Sequence, residues 1–210
     1  MPHPDPVAGA ARENFCRLLA ASFYQPEPTL AREGLFTGLA EAAAALAPER
    51  VADVRRMETA FAQEGCDALL VEYTRLFLGP VEAVARPYGS VWLTKEKTLM
   101  QEASVAVLEL YREGGFDVAD DFRELPDHVA AELEFLYLLI FRENRAARDD
   151  DPSLAGIRSL AKRFLEGHLG AWMPAFCEVI VRESTSDYYR ALASLAADFV
   201  AREHARLAGA

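Results

Sequence analysis

Residues Val129 to Phe141 constrain this chain more than any other stretch. Leu133, Phe135, Leu136, Tyr137, Leu138, Leu139, Ile140 and Phe141 point in nearly every direction around a helix of about 3.6 residues per turn. A helix apolar on all sides belongs in the middle of a bundle or in a membrane. Glu132 and Glu134 interrupt this one, and it falls short of the roughly 18 uninterrupted apolar residues that a span needs. The expectation is the central helix of a soluble bundle, with no stable membrane insertion.

The flanking sequence repeats helical patterns. Phe15, Leu18, Leu19 and Phe23 share a face of a helix from about Ala8 to Tyr24, which Pro26 and Pro28 stop. A second helix is expected from Thr29 to Ala47, and a third from Pro48 to a stop at Gly65. A fourth, Asp67 to Leu78, closes at Gly79-Pro80. Thr94 reads as the cap of a fifth, which runs to Gly114-Gly115. After the central helix, Asp151-Pro152 opens a seventh, and Ala171 to Arg182 forms the eighth. Ser184 to Ser186 cap the ninth. No segment alternates with strand period. The fold class is all-α, a single-domain helical bundle of about nine helices over residues 8–207, behind a flexible N-terminal arm at 1–7. The charged stretch Arg145 to Asp151 reads as a hinge. Helix exchange there makes either a monomer or a domain-swapped dimer the expected state.

Charge and chemistry narrow the function. The net charge of −11 argues against nucleic acid, which needs a basic footprint, and favours a basic partner. Three scattered cysteines without a C-x-x-C pair, and a start without a basic-then-apolar leader, suit a reduced cytoplasmic protein. Phosphate-loop, dinucleotide and nucleophile-elbow motifs are absent. The four histidines share no ligand spacing. No metal, no cofactor and no catalytic activity are therefore expected. An acid–base pair of Asp127 and His128 lacks any third group to make it an enzyme site.

Two irregular stretches stand out. Val81 to Leu93 carries Pro87, Tyr88, Gly89 and Trp92, and Phe116 to Leu125 leads into the central helix. From Glu113 to Glu134 the chain holds eight carboxylates against a single arginine, Arg123. By local chemistry, Glu124-Leu125-Pro126-Asp127-His128 reads first as a helix start, with Asp127 meeting the positive helix end. Aromatics on one loop and acids on the other equally suit a groove for a peptide with arginine and apolar side chains.

Glu72-Tyr73-Thr74-Arg75-Leu76-Phe77-Leu78-Gly79-Pro80, then Pro87-Tyr88-Gly89-Ser90-Val91-Trp92, then Glu124-Leu125-Pro126-Asp127-His128 and Glu132-Leu133-Glu134-Phe135-Leu136 together resemble the TorD/DmsD/NarJ family. These are cytoplasmic chaperones for the maturation of molybdopterin oxidoreductases. The resemblance implies a TorD-like helical fold. It also implies binding of the twin-arginine signal peptide and precursor of such an enzyme, held until cofactor insertion and assembly before export. The family's Pro, Asp and His map onto Pro126, Asp127 and His128, and its aromatic block onto Tyr73, Leu76, Phe77, Tyr88 and Trp92. Glu124, Asp127 and Asp121 are then expected to meet arginines, and His128 to make the grip sensitive near neutral pH. Leu125-Pro126-Asp127 lies closer to the nitrate-reductase branch and Pro87-Tyr88-Gly89-Ser90 closer to the TorD/DmsD branch, so the client stays open. The alternative is a structural adaptor or assembly subunit that binds a folded partner without recognising a leader.

Overall fold

The computed structural model describes residues 6–79, 83–93, 101–117 and 124–209, with only the backbone at 101 and 102. Ten α-helices account for most of it: α1 (Pro6–Ser22), α2 (Pro28–Arg32), α3 (Leu35–Leu46), α4 (Val51–Tyr73), α5 (Gly89–Leu93), α6 (Gln101–Glu113), α7 (Val129–Arg148), α8 (Leu154–Gly167), α9 (Leu169–Glu183) and α10 (Asp187–Ala208). A short 3-10 turn (Pro48–Arg50) precedes α4 and a π-turn (Thr74–Leu78) follows it. No strand occurs among the described residues. One isolated antiparallel bridge joins Tyr88 to His128.

As its composition demands, α7 lies in the middle. It packs along α1 on one side and α8 on the other, while α10 packs on α9, α4 and α8. Val129, Leu133, Phe135, Leu136, Leu139 and Ile140 are all buried in one continuous apolar cluster that takes residues from α1, α3, α4 and α6 to α10. Each such side chain contributes about 1.5–3 kcal/mol by leaving water. Ala42 and Ala43 of α3 are buried, and Gly38 faces Leu18 of α1 so closely that a Cβ would lie 2.7 Å from its Cδ1. Small residues bring these two helices together.

A network of charge crosses the core. Arg12 of α1 meets Glu143 of α7 at 3.0 Å and Glu203 of α10 at 2.7 Å. Arg158 of α8 and Arg206 of α10 complete the set around Glu143, each at 2.8 Å. Burial opposes ionisation of Glu143, yet Arg12 and Arg206 prevail and hold its carboxyl down at about 2.

Several sequence expectations require correction. The Thr29–Ala47 helix is two, α2 and α3, because Gly34 takes a left-handed turn at φ 80. Gly65 kinks α4 at φ 75 rather than ending it. The expected straight end at Leu78 is instead a π-turn, which Gly79 closes by donating to the Thr74 carbonyl. Residues 89–93, read as irregular, form α5. The Arg145–Asp151 stretch is helical as far as Arg148. Residues 1–5 of the arm and the Thr94 cap lie outside the described residues.

Candidate functional site

The start of α7 is a junction. Pro126 turns the chain: His128 N donates to Leu125 O, and Tyr111 Oη of α6 donates to Pro126 O at 2.8 Å. The Tyr88–His128 bridge then ties the loop before α5 to the helix, with Gly89 N on Asp127 O and Val129 N on Pro87 O, both 2.8 Å. Gly89 is required at this crossing, since a Cβ there would sit 2.8 Å from Trp172 Nε1 and 3.0 Å from Glu132 Oε1.

His128, not Asp127, caps the helix: its Nδ1 accepts from Ala130 N. Asp127 is 1% exposed and faces inward. Its Oδ2 accepts from Ser90 N at 2.8 Å and its Oδ1 from Ser104 Oγ at 3.0 Å, which pins α5 and α6 to α7. The carboxylate expected to reach an external arginine is taken up by internal donors. His128 is 2% exposed, between the rings of Tyr24 and Tyr88 with centroids at 6.4 and 5.5 Å. Burial outweighs the nearby Glu124 and Asp127 charges and draws the imidazole down to about 4. The expected sensitivity near neutral pH is therefore corrected: His128 is uncharged there.

The aromatic block divides. Leu76 and Phe77 point into the core, where Phe77 packs on Phe23, Tyr73, Phe176 and Tyr189. The π-turn is the cause, since its extra residue rotates the end of α4 inward. These two form a foundation rather than a contact surface. Trp92 is half-buried against Phe176, its Nε1 donating to Arg86 O. Tyr73 is also buried, at 5% exposure, and only the edge of its ring borders a hollow, whereas Tyr88 is partly exposed and its Oη donates to Glu124 Oε2 at 2.5 Å.

A two-part hollow opens beside these residues. One part, about 470 Å³, is lined by Ala21, Tyr24, Gln25, Glu27, Leu30, Tyr73 and Glu124. The other, about 400 Å³, is lined by Arg17, Ala21, Tyr24, Phe116, Glu134, Tyr137 and Leu138. They meet at Ala21 and Tyr24. Tyr24 Oη donates to Glu134 Oε1 at 2.8 Å, and burial raises both groups above their ordinary values. Of the residues expected at a site, Tyr73 and Glu124 line this hollow and Tyr88 joins it through Glu124. Asp121 lies outside the described residues. Tyr24, Glu27, Glu134 and Tyr137 were not anticipated. Tyr24 reads in sequence as a helix end before Pro26, and Glu134 as a break in an apolar run and one of eight carboxylates in an acidic stretch, neither as a site residue.

Glu27 and Glu124 have no basic partner among the described residues. A larger cleft of about 640 Å³ between α4 and α10 is different, because its Arg56 and Arg190 are paired with Asp53 and Asp187. No group of three potential metal ligands, and no helix long and apolar enough to cross a membrane, occurs among the described residues.

Comparison with known proteins points one way. A family model described as nitrate reductase delta subunit matches residues 36–178. The Tat proofreading chaperone DmsD of Salmonella typhi is 30% identical over 141 residues, 67% of this chain and 63% of that protein. The chaperone protein TorD of Aliivibrio fischeri is 28% identical over 141 residues, 67% of this chain and 65% of that one. A selenate reductase assembly chaperone protein of Thauera selenatis is 34% identical over 101 residues, 48% of this chain and 51% of its own length. The chain thus spans somewhat under two thirds of the first two relatives.

Proposed function

From the premise that this chain belongs to the nitrate reductase delta subunit family, the TorD/DmsD/NarJ group of redox-enzyme maturation chaperones, we propose that it binds the twin-arginine signal peptide and precursor of a molybdopterin oxidoreductase. It holds the precursor in the cytoplasm until cofactor insertion and assembly precede export. It acts by binding, not by catalysis.

The observation that carries this reading is the aromatic hollow beside α7, with Glu27 and Glu124 on its wall and no basic partner for either among the described residues. A guanidinium entering there gains charge-assisted hydrogen bonds and aromatic faces together. Tyr73, Tyr88 and Glu124 are the expected contacts carried forward from the sequence. Pro126, Asp127 and His128 shape the wall by fixing the start of α7, with Leu76 and Phe77 behind Tyr73 and Trp92 bracing α5. Calorimetric titration with the client's signal peptide tests this. Binding that weakens in Glu124→Gln supports it, and no heat with the unaltered chain overturns it.

A second reading draws on Leu70, Val71 and Leu78, large apolar side chains exposed at the end of α4 and its π-turn. An adaptor docking a folded partner would use such a face. Co-purification decides: a precursor released when its leader is deleted supports the chaperone, and one retained supports the adaptor.

A further inference from the structure

The last turns of α4 keep an apolar face open to water. Past the kink at Gly65, Asp67, Ala68, Leu70, Val71 and Thr74 are exposed, and Leu78 follows in the π-turn. Val71 is 72% exposed, more than any other large apolar side chain among the described residues. Thr74 brings no polar demand to this face, because its Oγ1 donates to Leu70 O at 2.8 Å. Adjoining apolar side chains of this kind form a patch rather than scattered surface residues.

The charges flanking the patch are arranged about Val71. Asp67 stands four residues before it and Arg75 four residues after, each about 6 Å along the axis at 1.5 Å per residue. Asp67 meets no cation among the described residues. Arg75 reaches Glu72 through Nε and Nη2, and the Glu183 carbonyl through Nη2. Its Nη1 makes no hydrogen bond among the described residues. Ala68 and Thr74, three residues either side of Val71, are both small. The face is therefore complementary to itself when a copy is turned end for end. Asp67 then lies opposite Arg75 of the other copy, Ala68 opposite Thr74, and Val71 on its own equivalent.

We infer that this face docks a second copy of the same chain, α4 against α4, antiparallel about a twofold axis at Val71. Such a contact is isologous and closes on itself as a dimer, with no helix exchanged. The patch is small, so association is weak, in the class of interfaces that bury less than about 1,200 Å². The charge of −11 on each copy opposes approach at low salt. At physiological ionic strength the screening length is about 8 Å, and the charges at the contact dominate. The pairing is independent of leader binding, since Tyr73 turns away from this face into the core and the edge of the hollow.

The test is sedimentation velocity of the intact chain at physiological salt, from micromolar to submillimolar concentration. The unaltered chain should move from monomer towards dimer across that range. Val71→Asp sets two carboxylates together at the axis and should hold the chain monomeric. Asp67→Arg removes two exposed ion pairs and should weaken dimerisation between about twofold and thirtyfold. Val105→Asp, at an exposed apolar position of α6, should leave it unchanged. Val71→Cys in a Cys66→Ser background should give a disulfide-linked dimer on mild oxidation. Thermal melts matching the unaltered chain establish that each variant folds, and Val71→Ser carries the comparison if Val71→Asp melts early. A chain that stays monomeric at every concentration overturns the pairing and leaves the face to the folded partner of the second reading. A dimer that both Val71→Asp and Asp67→Arg leave intact overturns it as well, and is the result that exchanged helices would give.

Discussion

Single residues at the start of α7 do different work from their neighbours. Asp127 is an internal fastener. In Asp127→Ala, Ser90 N and Ser104 Oγ lose an ionised acceptor. Hydrogen bonds to a charged group contribute about 1.5–3 kcal/mol each, so a loss of about 3 kcal/mol is expected in urea unfolding. His128 and Glu132 give the fold its pH dependence, in opposite senses. Burial lowers His128 from 6.5 to about 4, so its neutral form is the folded one. That contribution is complete above pH 6.5 and is lost as pH falls towards 4. His128→Asn keeps a capping side chain, and its stability should fall less over that range. Glu132 is fully buried, with Trp172 Nε1 on Oε2, and Oε1 has no hydrogen-bond partner among the described residues. Burial, with a smaller push from Asp127 and against the Trp172 bond, raises its carboxyl well above 4.5. Its contribution is complete below 4.5 and is lost as pH rises towards the folded value. Glu132→Gln should remove that alkaline-side loss, as read from thermal midpoints across pH.

At the scale of elements, the junctions matter more than the helices themselves. α5 has five residues and no stability of its own. It is held by Asp127, by the Tyr88–His128 bridge and by packing on α9. The π-turn after α4 turns Phe77 inward while leaving Tyr73 at the hollow. The buried charges joining α1, α7, α8 and α10 form a second junction. Arg12→Ala strips a cation from Glu143 and Glu203, and about 3–5 kcal/mol of stability should go with it. Arg56→Ala, an exposed arginine paired with Asp53, should cost less than about 1 kcal/mol. Denaturant midpoints of the two variants compare them directly.

Across the whole molecule, the net charge of −11 acts at a distance. It favours the approach of basic ligands and disfavours nucleic acid and anionic surfaces. The association rate with an arginine-bearing peptide should therefore fall steeply as salt is raised, while the dissociation rate changes less. Stopped-flow measurement at two ionic strengths would show it, and a salt-independent association rate would contradict it.

Much of this was legible in the sequence. The apolar residues of Val129–Phe141 pointed to burial on every side, and most of α7 is buried, but the stripe Glu134, Tyr137, Leu138 and Phe141 stays partly open to solvent, with Phe141 40% exposed. Gly and Pro marked most helix ends, though not whether a glycine breaks a helix, as Gly34 does, or only kinks it, as Gly65 does. The local blocks around Tyr73, Tyr88 and Glu124 lie close together in the fold, at or beside the same hollow. Which acids stay in water was decided only by the tertiary structure. Asp127 and Glu124 are three residues apart and look alike in sequence. One is sealed beneath α5 and α6, and the other faces solvent under Tyr88. The hollow was invisible for the same reason. Tyr24 and Glu134, 110 positions apart, meet only because α1 lies along α7. Periodicity specifies which face of a helix is apolar. Burial, and with it charge state and access, belongs to whatever helix arrives to cover that face.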